Sequence, residues 1–512
     1  MDRTTVSPSR LDALTSWNAD WRGLRVVVAG IGKTGFSAAD TLAELGARVV
    51  VVAASDDGQA RRHAETLRIV GVADVVLGAA TSTILPPVDG QPAELVVTSP
   101  GLPPDHPLLA AAAATGIPIW GDVELAWRVR RREGRRTAEW IAITGTNGKT
   151  TTTTMVESML QAAGLRAIAA GNIGTPILDA VRDPEGYDAL AVELSSFQLH
   201  WTESMAPLAS VCLNLAEDHV DWHGGFDAYA ADKAKVYANT RVACVYNAED
   251  AATERMVEAA DVQEGARAIG FTTGMPAVSM VGVVEDLLVD RAFLPERRDS
   301  AVELAKLADI ADMVPRHLVA NAAAAATLAR AYGLTPEHVR AGLRAYDVGA
   351  HRIQPVASAA GVLWVNDSKA TNPHAAAASL AAFGSVIWIA GGLSKGVEYD
   401  DLVRAHAGRL KAVVLIGTDS GTLAGALARH APDVPVFAAV PGDTGGEEVT
   451  GATVMAAAVA RAAALAGEGD TVLMAPASAS MDQFSSYADR GQSFINAVRG
   501  LLEGQAETAK ES

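Results

Sequence analysis

The chain has 512 residues, of which 49% are hydrophobic, and its formal net charge is −18. This length predicts about three or four domains, and an acidic chain without a basic run is a poor candidate for binding nucleic acid. No apolar run approaches the ~18 residues that span a membrane, and the polar N-terminus carries no apolar signal core. We therefore expect a cytoplasmic protein that binds no membrane. Cys212 and Cys244 lie in apolar surroundings and should be buried free thiols.

The first patterned segment predicts a Rossmann-like unit. Residues 24–29 read as a strand, a helix follows to about Leu45, and residues 47–53 read as a second strand. Glycines at 30, 32 and 35 fit the G-x-G-x-x-G pattern, but a nicotinamide cofactor requires an acid at the end of the second strand. Acids appear only at Asp56 and Asp57. The turn therefore holds either that cofactor or, as the stronger interpretation, another phosphate group at the helix N-terminus.

A later strand of this domain ends at another candidate site. Residues 96–98 predict a strand whose carboxyl end carries Ser99, and open α/β sheets bind ligands at such ends. The alternative is that Ser99 only caps a turn. A helix at 108–114, a strand at 117–120 and a basic stretch at 128–136 follow. We interpret the basic stretch as an exposed helix end and linker, and place the first domain boundary near residue 137.

Residues 140–162 predict a phosphate-binding loop. An apolar run with β-branched residues suits a buried strand. A glycine turn, Lys149 and a helical pattern follow. Backbone N–H groups of such a loop face phosphate oxygens, the lysine adds positive charge, and the Thr150 hydroxyl can ligate Mg²⁺. The first glycine stands four residues before the lysine rather than six. The alternative is an ordinary turn with a surface lysine.

Polar side chains follow the next strands of the central domain. Glu193 ends an apolar run, where it would either ligate Mg²⁺ or form a salt bridge. Acids and histidines at 217–223 follow a strand predicted at 210–215. They indicate either a ligand site or a solvated loop. A helix at 226–237 carries Lys233, which spacing alone assigns to the surface. Asn321 lies inside a helix at 317–330, where its low propensity suggests a ligand or packing role.

The last domain repeats the pattern of strands that open into polar loops. Strands are predicted at 362–365, 386–390, 413–416 and 471–474, and polar loops follow at 366–373, 391–396 and 475–484. We predict three α/β domains at residues 1–136, 137–350 and 351–512, with ligands bound between them.

Four segments carry a resemblance to a known family: residues 144–152, Glu193–Leu199, Asn366–Asn372, and Ser480–Phe484 with Arg490–Gly491. Over nearly the whole length, the chain resembles the ATP-dependent Mur ligases, which build the peptide of the bacterial cell wall. The first segment is shared with folate ligases, whereas the others resemble the D-glutamate-adding branch. The Asp-Asn-Pro-Arg motif of the diaminopimelate-adding branch is missing, and Asn147 stands where the alanine-adding branch has histidine.

The resemblance implies a Rossmann-like N-terminal domain, a central P-loop ATPase-type domain and a Rossmann-like C-terminal domain. It implies an ATP-dependent amide ligase that adds D-glutamate to UDP-N-acetylmuramoyl-L-alanine through an acyl phosphate, in peptidoglycan precursor synthesis. We expect a monomer that uses ATP and two Mg²⁺ ions. The alternatives are another Mur or folylpolyglutamate-type ligase and, from another class, a non-catalytic nucleotide-binding relative.

The resemblance also implies roles for individual residues. The catalytic set is Lys149, Glu193, His219 and Lys233. One Mg²⁺ would be held by Thr150 and Glu193, and a second by His219 and Lys233, the latter as a CO₂-derived carbamate. The residues implied for ATP are Gly145, Thr146, Asn147, Gly148, Lys149, Thr150, Thr151, Asn321, Arg352 and Asp367, with His351 nearby. Those implied for the substrates are Lys33, Thr34 and Ser99 for the uridine diphosphate, Asn172 and His219 for the muramoyl substrate, and Lys369, Thr371, Lys395, Ser480, Met481 and Tyr487 for D-glutamate.

The chain departs from the family pattern at three points. Leu318 stands where asparagine is frequent, so an adenine contact is expected to be lost. The acid expected after the second strand is absent, which leaves Asp56 or Asp57 as substitutes for the uracil contact. Tyr487 stands where phenylalanine is usual, a mild change.

Overall fold

The computed structural model describes residues 8–80, 82–311, 314–347, 351–394, 397–439 and 450–511. Strands within these ranges form three sheets. By its internal contacts the chain divides into two units, residues Met1–Val314 with Leu318–Tyr346, and Pro315–His317 with Asp347–Ser512. The first unit contains two of the sheets and the second unit contains the third.

The first sheet is parallel throughout, in the order β3-β2-β1-β4-β5. Val26 and Val28 pack into one apolar cluster, whereas Val27 and Ala29 pack into another on the opposite face. Both faces are covered, which explains the continuous apolar runs of a parallel sheet. Its elements are α1 (Pro8–Ala13), β1 (Arg25–Ala29), α2 (Lys33–Glu44), β2 (Arg48–Ala53), α3 (Gly58–Ile69), β3 (Asp74–Leu77), β4 (Leu95–Thr98), α4 (Pro107–Ala114), β5 (Ile119–Gly121) and α5 (Asp122–Val129).

The second sheet has the order β14-β13-β12-β11-β10-β9-β6-β8-β7. Its strands run parallel from β7 to β12, and β13 and β14 add antiparallel strands at one edge. Strand β6, which leads into the phosphate loop, lies between β8 and β9. Its elements are β6 (Glu139–Thr144), α6 (Lys149–Ala162), β7 (Ala167–Gly171), α7 (Ile177–Arg182), β8 (Ala189–Glu193), α8 (Ser196–His200), β9 (Ala209–Cys212), α9 (Val220–His223), α10 (Phe226–Ala234), β10 (Ala243–Asn247), α11 (Ala251–Glu258), β11 (Arg267–Phe271), β12 (Met280–Val284), β13 (Leu287–Asp290), β14 (Val302–Lys306), α12 (Arg316–Tyr332) and α13 (Pro336–Ala345).

The second unit is built on the third sheet, in the order β15-β16-β20-β17-β18-β19. Only the pairing of β15 with β16 is antiparallel among its described strands. Its elements are β15 (Gln354–Ala359), β16 (Val362–Asn366), α14 (Pro373–Ala381), β17 (Val386–Gly391), α15 (Asp400–His406), β18 (Leu410–Ile416), α16 (Gly421–His430), β19 (Val436–Ala438), α17 (Gly451–Leu465), β20 (Thr471–Met474) and α18 (Tyr487–Glu511).

The structure confirms the strands predicted before each polar loop, and corrects two details. The helix expected to reach Tyr237 ends at Ala234 and continues as a 3-10 turn, Lys235–Tyr237. The basic stretch from Arg128 contains the end of α5 at Val129, and Arg131 and Arg136 are exposed as predicted, but Arg128 itself forms a 2.6 Å ion pair with the buried Glu124. Both cysteines are free and buried, as predicted. No helix among the described residues is long and apolar enough to cross a membrane.

Candidate functional site

The phosphate loop adopts a backbone that glycine favours at two positions. Gly145 has φ +148° and Gly148 has φ +83°, conformations that L side chains rarely adopt. A Cβ atom at Gly148 would lie 2.3 Å from Oδ1 of Asn321, which is buried in α12. Asn321 therefore packs directly against the loop, which supports the packing role predicted for it.

Two residues outside the predicted site hold the loop in place. The backbone N–H of Asn147 donates to Oδ1 of Asn214 at 2.8 Å, and Nδ2 of Asn214 donates to the carbonyl oxygen of Asn147 at 3.0 Å. The Tyr229 hydroxyl lies 2.9 Å from the Thr146 hydroxyl. A polar residue two positions after β9 was the available signal for Asn214, whereas nothing in the local sequence marks Tyr229.

Lys149 begins α6 and folds over the loop that precedes it. Its Nζ donates to the carbonyl oxygens of Gly145 at 2.9 Å and Thr146 at 3.0 Å. Thr150 follows at the first turn and is half-buried, whereas Thr151 is buried. The lysine and the threonine thus lie at a helix N-terminus, where backbone N–H groups and the helix dipole favour an anion.

Glu193 and Asn172 meet beside the phosphate loop. Glu193 ends β8 and pairs in register with Ile143 of β6 and with Gly171 of β7. Its Oε1 accepts a hydrogen bond from Nδ2 of Asn172 at 2.9 Å, and Asn172 is exposed. The other carboxylate oxygen, Oε2, is buried without a hydrogen-bond partner. A buried acceptor of this kind is costly unless a cation or donor satisfies it, so Glu193 fits a ligand of Mg²⁺.

Lys233 is buried, contrary to what its spacing in the sequence indicates. Its side chain is 2% exposed, and its Nζ donates to the carbonyl oxygen of Gly145 at 2.9 Å and lies 3.4 Å from the Thr144 hydroxyl. Burial, reinforced by the positive charge of Lys149, lowers the pKa of Lys233 to about 7. A large fraction of this amine is therefore neutral near pH 7.

His219 lies in a left-handed conformation just before α9, with φ +52°. Its ring centre is 4.9 Å from that of Phe197, and Nε2 lies 3.5 Å from a carboxylate oxygen of Asp218. The side chain is about half exposed, at 52%. The imidazole is therefore accessible to a ligand, and an acidic neighbour shares that environment.

The first sheet carries a second candidate phosphate site. Ser99 follows β4, and its Oγ is buried without a partner. A Cβ at Gly30 or Gly35 would come within 2.3 Å or 3.0 Å of that Oγ, so the serine fills the space that the glycines leave. Lys33 and Thr34 begin α2, the first exposed and the second half-buried. Ser99, Lys33 and Thr34 thus place polar groups around the N-terminus of α2.

Both acids considered for the uracil contact already have partners. Asp57 caps α3 through Oδ1, which accepts hydrogen bonds from Gln59 and Ala60 at 2.8 Å. Asp56 forms a bidentate pair with Arg61, at 2.9 and 3.0 Å. Of the two, only Asp56 would leave a helix cap intact if it turned towards a base.

In the second unit, Asp367 follows β16 and is buried. Its Oδ1 accepts from the backbone of Ile353 at 3.3 Å, and its Oδ2 accepts from Ser379. Burial raises the pKa of Asp367 to about 6, and the charge of the nearby Arg352 opposes that rise. The two residues predicted for the nucleotide in this unit therefore lie close enough to interact electrostatically.

Arg490 joins the loops that follow β16 and β20. The side chain is fully buried; Nε donates to the Ser368 hydroxyl at 3.0 Å, Nη2 to the Ser368 carbonyl at 3.0 Å, and Nη1 to the Ser478 carbonyl at 3.1 Å. The Ser368 hydroxyl in turn donates to the carbonyl oxygen of Tyr487 at 2.7 Å. The motif arginine is therefore a positioning residue for both loops.

These loops bring several residues predicted for D-glutamate into one region. Nζ of Lys369 lies 4.1 Å from the centre of the Tyr487 ring. The Thr371 N–H donates to the carbonyl oxygen of Lys369 at 2.8 Å. Ser480 is buried after β20, whereas Met481 is 74% exposed. Lys395 lies outside the described residues.

Comparisons with known proteins agree with this architecture. The sequence matches the MurD-like N-terminal domain of Mur ligases over residues 24–121, the Mur ligase middle domain over 143–329 and the glutamate ligase domain of Mur ligases over 351–478. The structure is similar to the crystal structure of MurF ligase from Thermotoga maritima in complex with ADP, with a TM-score of 0.53, 16% identity, and coverage of 96% of this chain and 99% of that chain.

Curated relatives narrow the assignment. The chain is 53% identical over 515 residues to the UDP-N-acetylmuramoylalanine–D-glutamate ligase of Leifsonia xyli subsp. xyli, covering 98% of each chain. It is 54% identical over 482 residues to the enzyme of the same name from Streptomyces avermitilis, covering 94% of this chain and 99% of that one. These matches confirm the expected three-domain α/β architecture, although the boundaries near residues 137 and 350 stay a prediction. The chain belongs to the Mur ligase family, in the group of the UDP-N-acetylmuramoylalanine–D-glutamate ligases.

Proposed function

We propose that the chain is an ATP-dependent ligase that joins UDP-N-acetylmuramoyl-L-alanine to D-glutamate in peptidoglycan precursor synthesis. One observation carries the proposal: a phosphate loop, a buried carboxylate with an unpartnered oxygen and a buried lysine meet at the ends of neighbouring strands. The name shared by relatives 53% and 54% identical to the chain supports the choice of substrates.

The reaction follows from the chemistry of an amide bond. A carboxylate must be activated before an amine can displace one of its oxygens. The L-alanine carboxylate attacks the γ-phosphorus of ATP, the bond to ADP breaks, and an acyl phosphate forms. The amine of D-glutamate then attacks the acyl carbon, phosphate leaves with the bonding electrons, and the amine proton passes to solvent or a base. Phosphoryl transfer depends on positioning and on charge stabilisation.

Residues of the central sheet supply that positioning. The loop Gly145–Thr151 would bind the phosphates through its N–H groups, with Lys149 on the β- and γ-phosphates. Thr150, Glu193, His219 and Lys233 would hold two Mg²⁺ ions, which supply Lewis-acid polarisation and charge neutralisation. The orphaned oxygen of Glu193 is the observation that fits a metal ligand in this set.

The lowered pKa of Lys233 supports a carbamate at this position. A neutral amine can attack CO₂, form the N–C bond and lose one proton, whereas an ammonium cannot. The product carries carboxylate-like oxygens, the hard ligands that Mg²⁺ takes. A pKa of about 7 makes the reactive neutral form available near pH 7.

The other domains would bind the remaining groups. Residues 1–136 would hold the uridine diphosphate through Lys33, Thr34 and Ser99, and Asn172 and His219 would contact the muramoyl substrate. Within 137–350, Asn321 would serve the nucleotide, as would Arg352 and Asp367 of 351–512. The D-glutamate residues of that last domain would be Lys369, Thr371, Lys395, Ser480, Met481 and Tyr487.

The test is phosphate release with ATP, Mg²⁺ and UDP-N-acetylmuramoyl-L-alanine, comparing D-glutamate, L-glutamate and diaminopimelate. We expect turnover with D-glutamate alone. Turnover with a different amino acid would keep the ligase chemistry but reject the assignment of the D-glutamate residues. If none of the three amino acids supports turnover and no ADP burst is seen, the non-catalytic alternative would be favoured.

A further inference from the structure

Two histidines and an aspartate form a cluster that the proposed reaction does not use. His200 ends α8, His223 ends α9 and Asp232 lies in α10. Nδ1 of His200 and Nδ1 of His223 lie 2.7 and 2.8 Å from the same Oδ2 of Asp232. The three ligand atoms lie within 4.8 Å of one another.

We propose that His200, His223 and Asp232 form a binding site for a transition-series divalent cation such as Zn²⁺ or Cu²⁺. Two imidazole nitrogens and one carboxylate oxygen suit these ions, whereas Mg²⁺ favours sites in which oxygen ligands predominate. Three protein ligands leave a position for water, as in open zinc sites. The proposed site is separate from the Mg²⁺ ligands assigned above.

Neighbouring groups orient two of the three ligands in advance. Nε2 of His223 lies 2.9 Å from the Ser196 hydroxyl, and the His223 side chain is fully buried. Oδ1 of Asp232 forms an ion pair with Nζ of Lys235 at 2.9 Å, which leaves Oδ2 facing the histidines. Partners of this kind fix the ring orientation and tautomer of metal ligands. Metal binding through Nδ1 requires the proton on Nε2, which His223 would donate to Ser196.

The third ligand provides a route for the ion. The His200 side chain is 28% exposed, whereas the side chains of His223 and Asp232 are 0% and 8% exposed. An ion can therefore reach the cluster from the side of His200, and water can complete its coordination there. The ligands come from three short helices, so a bound ion would crosslink α8, α9 and α10.

Asp232 and Lys233 are neighbours in sequence but contact different groups. Asp232 reaches the two histidines, whereas Lys233 reaches the carbonyl oxygen of Gly145. Successive residues of a helix point about 100° apart, so the neighbours serve different sites. An ion on Asp232 would nevertheless restrain α10, the helix that carries Lys233.

The experiment uses the tag-free full-length chain in excess Mg²⁺, which competes for the proposed Mg²⁺ ligands Thr150, Glu193, His219 and Lys233. Cu²⁺ is the spectroscopic probe. Zn²⁺ affinity is measured by letting the protein compete with a chromophoric chelator for the ion. We expect one tightly bound ion and an electron paramagnetic resonance spectrum with hyperfine coupling to two imidazole nitrogens. His200→Gln should weaken Zn²⁺ binding at least about tenfold, a loss of about 1.4 kcal/mol.

Two matched variants serve as controls. His430 also pairs with a carboxylate, Asp400, at 2.7 Å, but its described surroundings contain no second histidine ligand. His430→Gln and His219→Asn should both retain the tight Zn²⁺ site. Coupling to fewer than two nitrogens in the wild type, or undiminished binding in His200→Gln, would overturn the proposal. Loss of the ion in His219→Asn would also overturn it, because the ion would then occupy the proposed Mg²⁺ region.

If His200→Gln fails to fold by circular dichroism, Asp232→Asn replaces it. The asparagine keeps the size of the ligand and removes its charge, so Zn²⁺ affinity should fall by a similar factor. Coupling to fewer than two nitrogens in the wild-type spectrum would overturn the proposal without any variant.

Discussion

Nζ of Lys233 donates to the carbonyl oxygen of Gly145 at 2.9 Å and so ties α10 to the first residue of the phosphate loop. Lys233 is buried there and lies near a second positive charge, Lys149. Because both effects disfavour the ammonium form, the pKa of Lys233 falls to about 7. The same burial that makes the ammonium unfavourable makes the neutral amine available for reaction.

Lys233→Met should change how stability depends on pH. The ordinary pKa of lysine is 10.5 and that of Lys233 in the folded chain is about 7. Between these values the unfolded state binds more protons, so wild-type stability should rise with pH by up to about 1.4 kcal/mol per unit. The variant lacks this contribution. Chemical unfolding in CO₂-free buffer at pH 7, 8 and 9 should show that the unfolding free energy of the wild type rises relative to that of the variant. The control Lys306→Met, at an exposed lysine, should show the same pH dependence as the wild type. A difference in unfolding free energy between the wild type and Lys233→Met that does not change with pH would contradict the lowered pKa of Lys233.

Glu193→Gln should reduce kcat at least about 100-fold, or roughly 2.7 kcal/mol, and raise the Mg²⁺ concentration needed for half-maximal activity. The amide can still accept from Asn172 but no longer supplies a negative charge to the buried position of Oε2. Glu157 is the matched control, because its Oε1 accepts from the backbone N–H of Ala169 at 2.9 Å. Glu157→Gln should leave the Mg²⁺ dependence unchanged. An unaltered Mg²⁺ titration in Glu193→Gln would exclude the metal role.

Gly148→Ala should weaken binding of an ATP analogue at least about tenfold, measured by titration calorimetry. The φ of +83° costs a non-glycine residue about 1–2 kcal/mol, and the new Cβ would clash with Oδ1 of Asn321. Gly164→Ala is the control, because Gly164 has φ +77° with nothing within 4 Å of its Cβ position. That variant should lose stability but keep ATP affinity. Because Asn321 is itself proposed to serve the nucleotide, the contact is tested on stability. Asn321→Ala should cost less unfolding free energy in the Gly148→Ala background than in the wild type, because it removes the atom that the new Cβ meets. Equal costs in the two backgrounds would show that the contact is unimportant.

Lys149→Ala should abolish formation of the acyl phosphate. The variant removes the cation that the loop holds at 2.9 Å from the carbonyl of Gly145, so charge on the transferred phosphoryl group loses its stabilisation. Rapid-quench measurement of ADP without D-glutamate should show a burst in the wild type and none in the variant. A full burst in Lys149→Ala would reject the assignment of the loop.

Lys369→Met should raise the KM for D-glutamate at least about tenfold with a smaller effect on kcat, because a cation for substrate carboxylates is lost. Tyr487→Phe should leave the KM for D-glutamate almost unchanged, because the ring that contacts Lys369 at 4.1 Å remains. Tyr487→Ala should lose the cation–π contact, worth about 0.5–1 kcal/mol. Lys411, which pairs with Asp470, provides the control. A KM effect in Lys411→Met equal to that in Lys369→Met would indicate a general loss of stability.

Several site positions followed directly from local pattern. The run before Gly145 is apolar because β6 is buried on both faces, and the glycines mark the backbone that the loop requires. Glu193 could be placed at a strand end because it terminates an apolar run.

Other positions depended on contacts between distant segments. Spacing assigned Lys233 to the surface, and only the packing of α10 beside the phosphate loop buries it. Asn214, Tyr229 and Arg490 have partners far away in sequence, so the local sequence does not show which groups they hold in place.

The sequence by itself determined the strand–loop–helix units, the phosphate loop and the family, because apolar periodicity, glycine conformations and motif residues are local properties. Only the tertiary structure decided which strand ends are neighbours and which polar groups become buried. It set the pKa of Lys233 and brought His200, His223 and Asp232 together. Strand order and desolvation depend on long-range packing, which no short segment specifies.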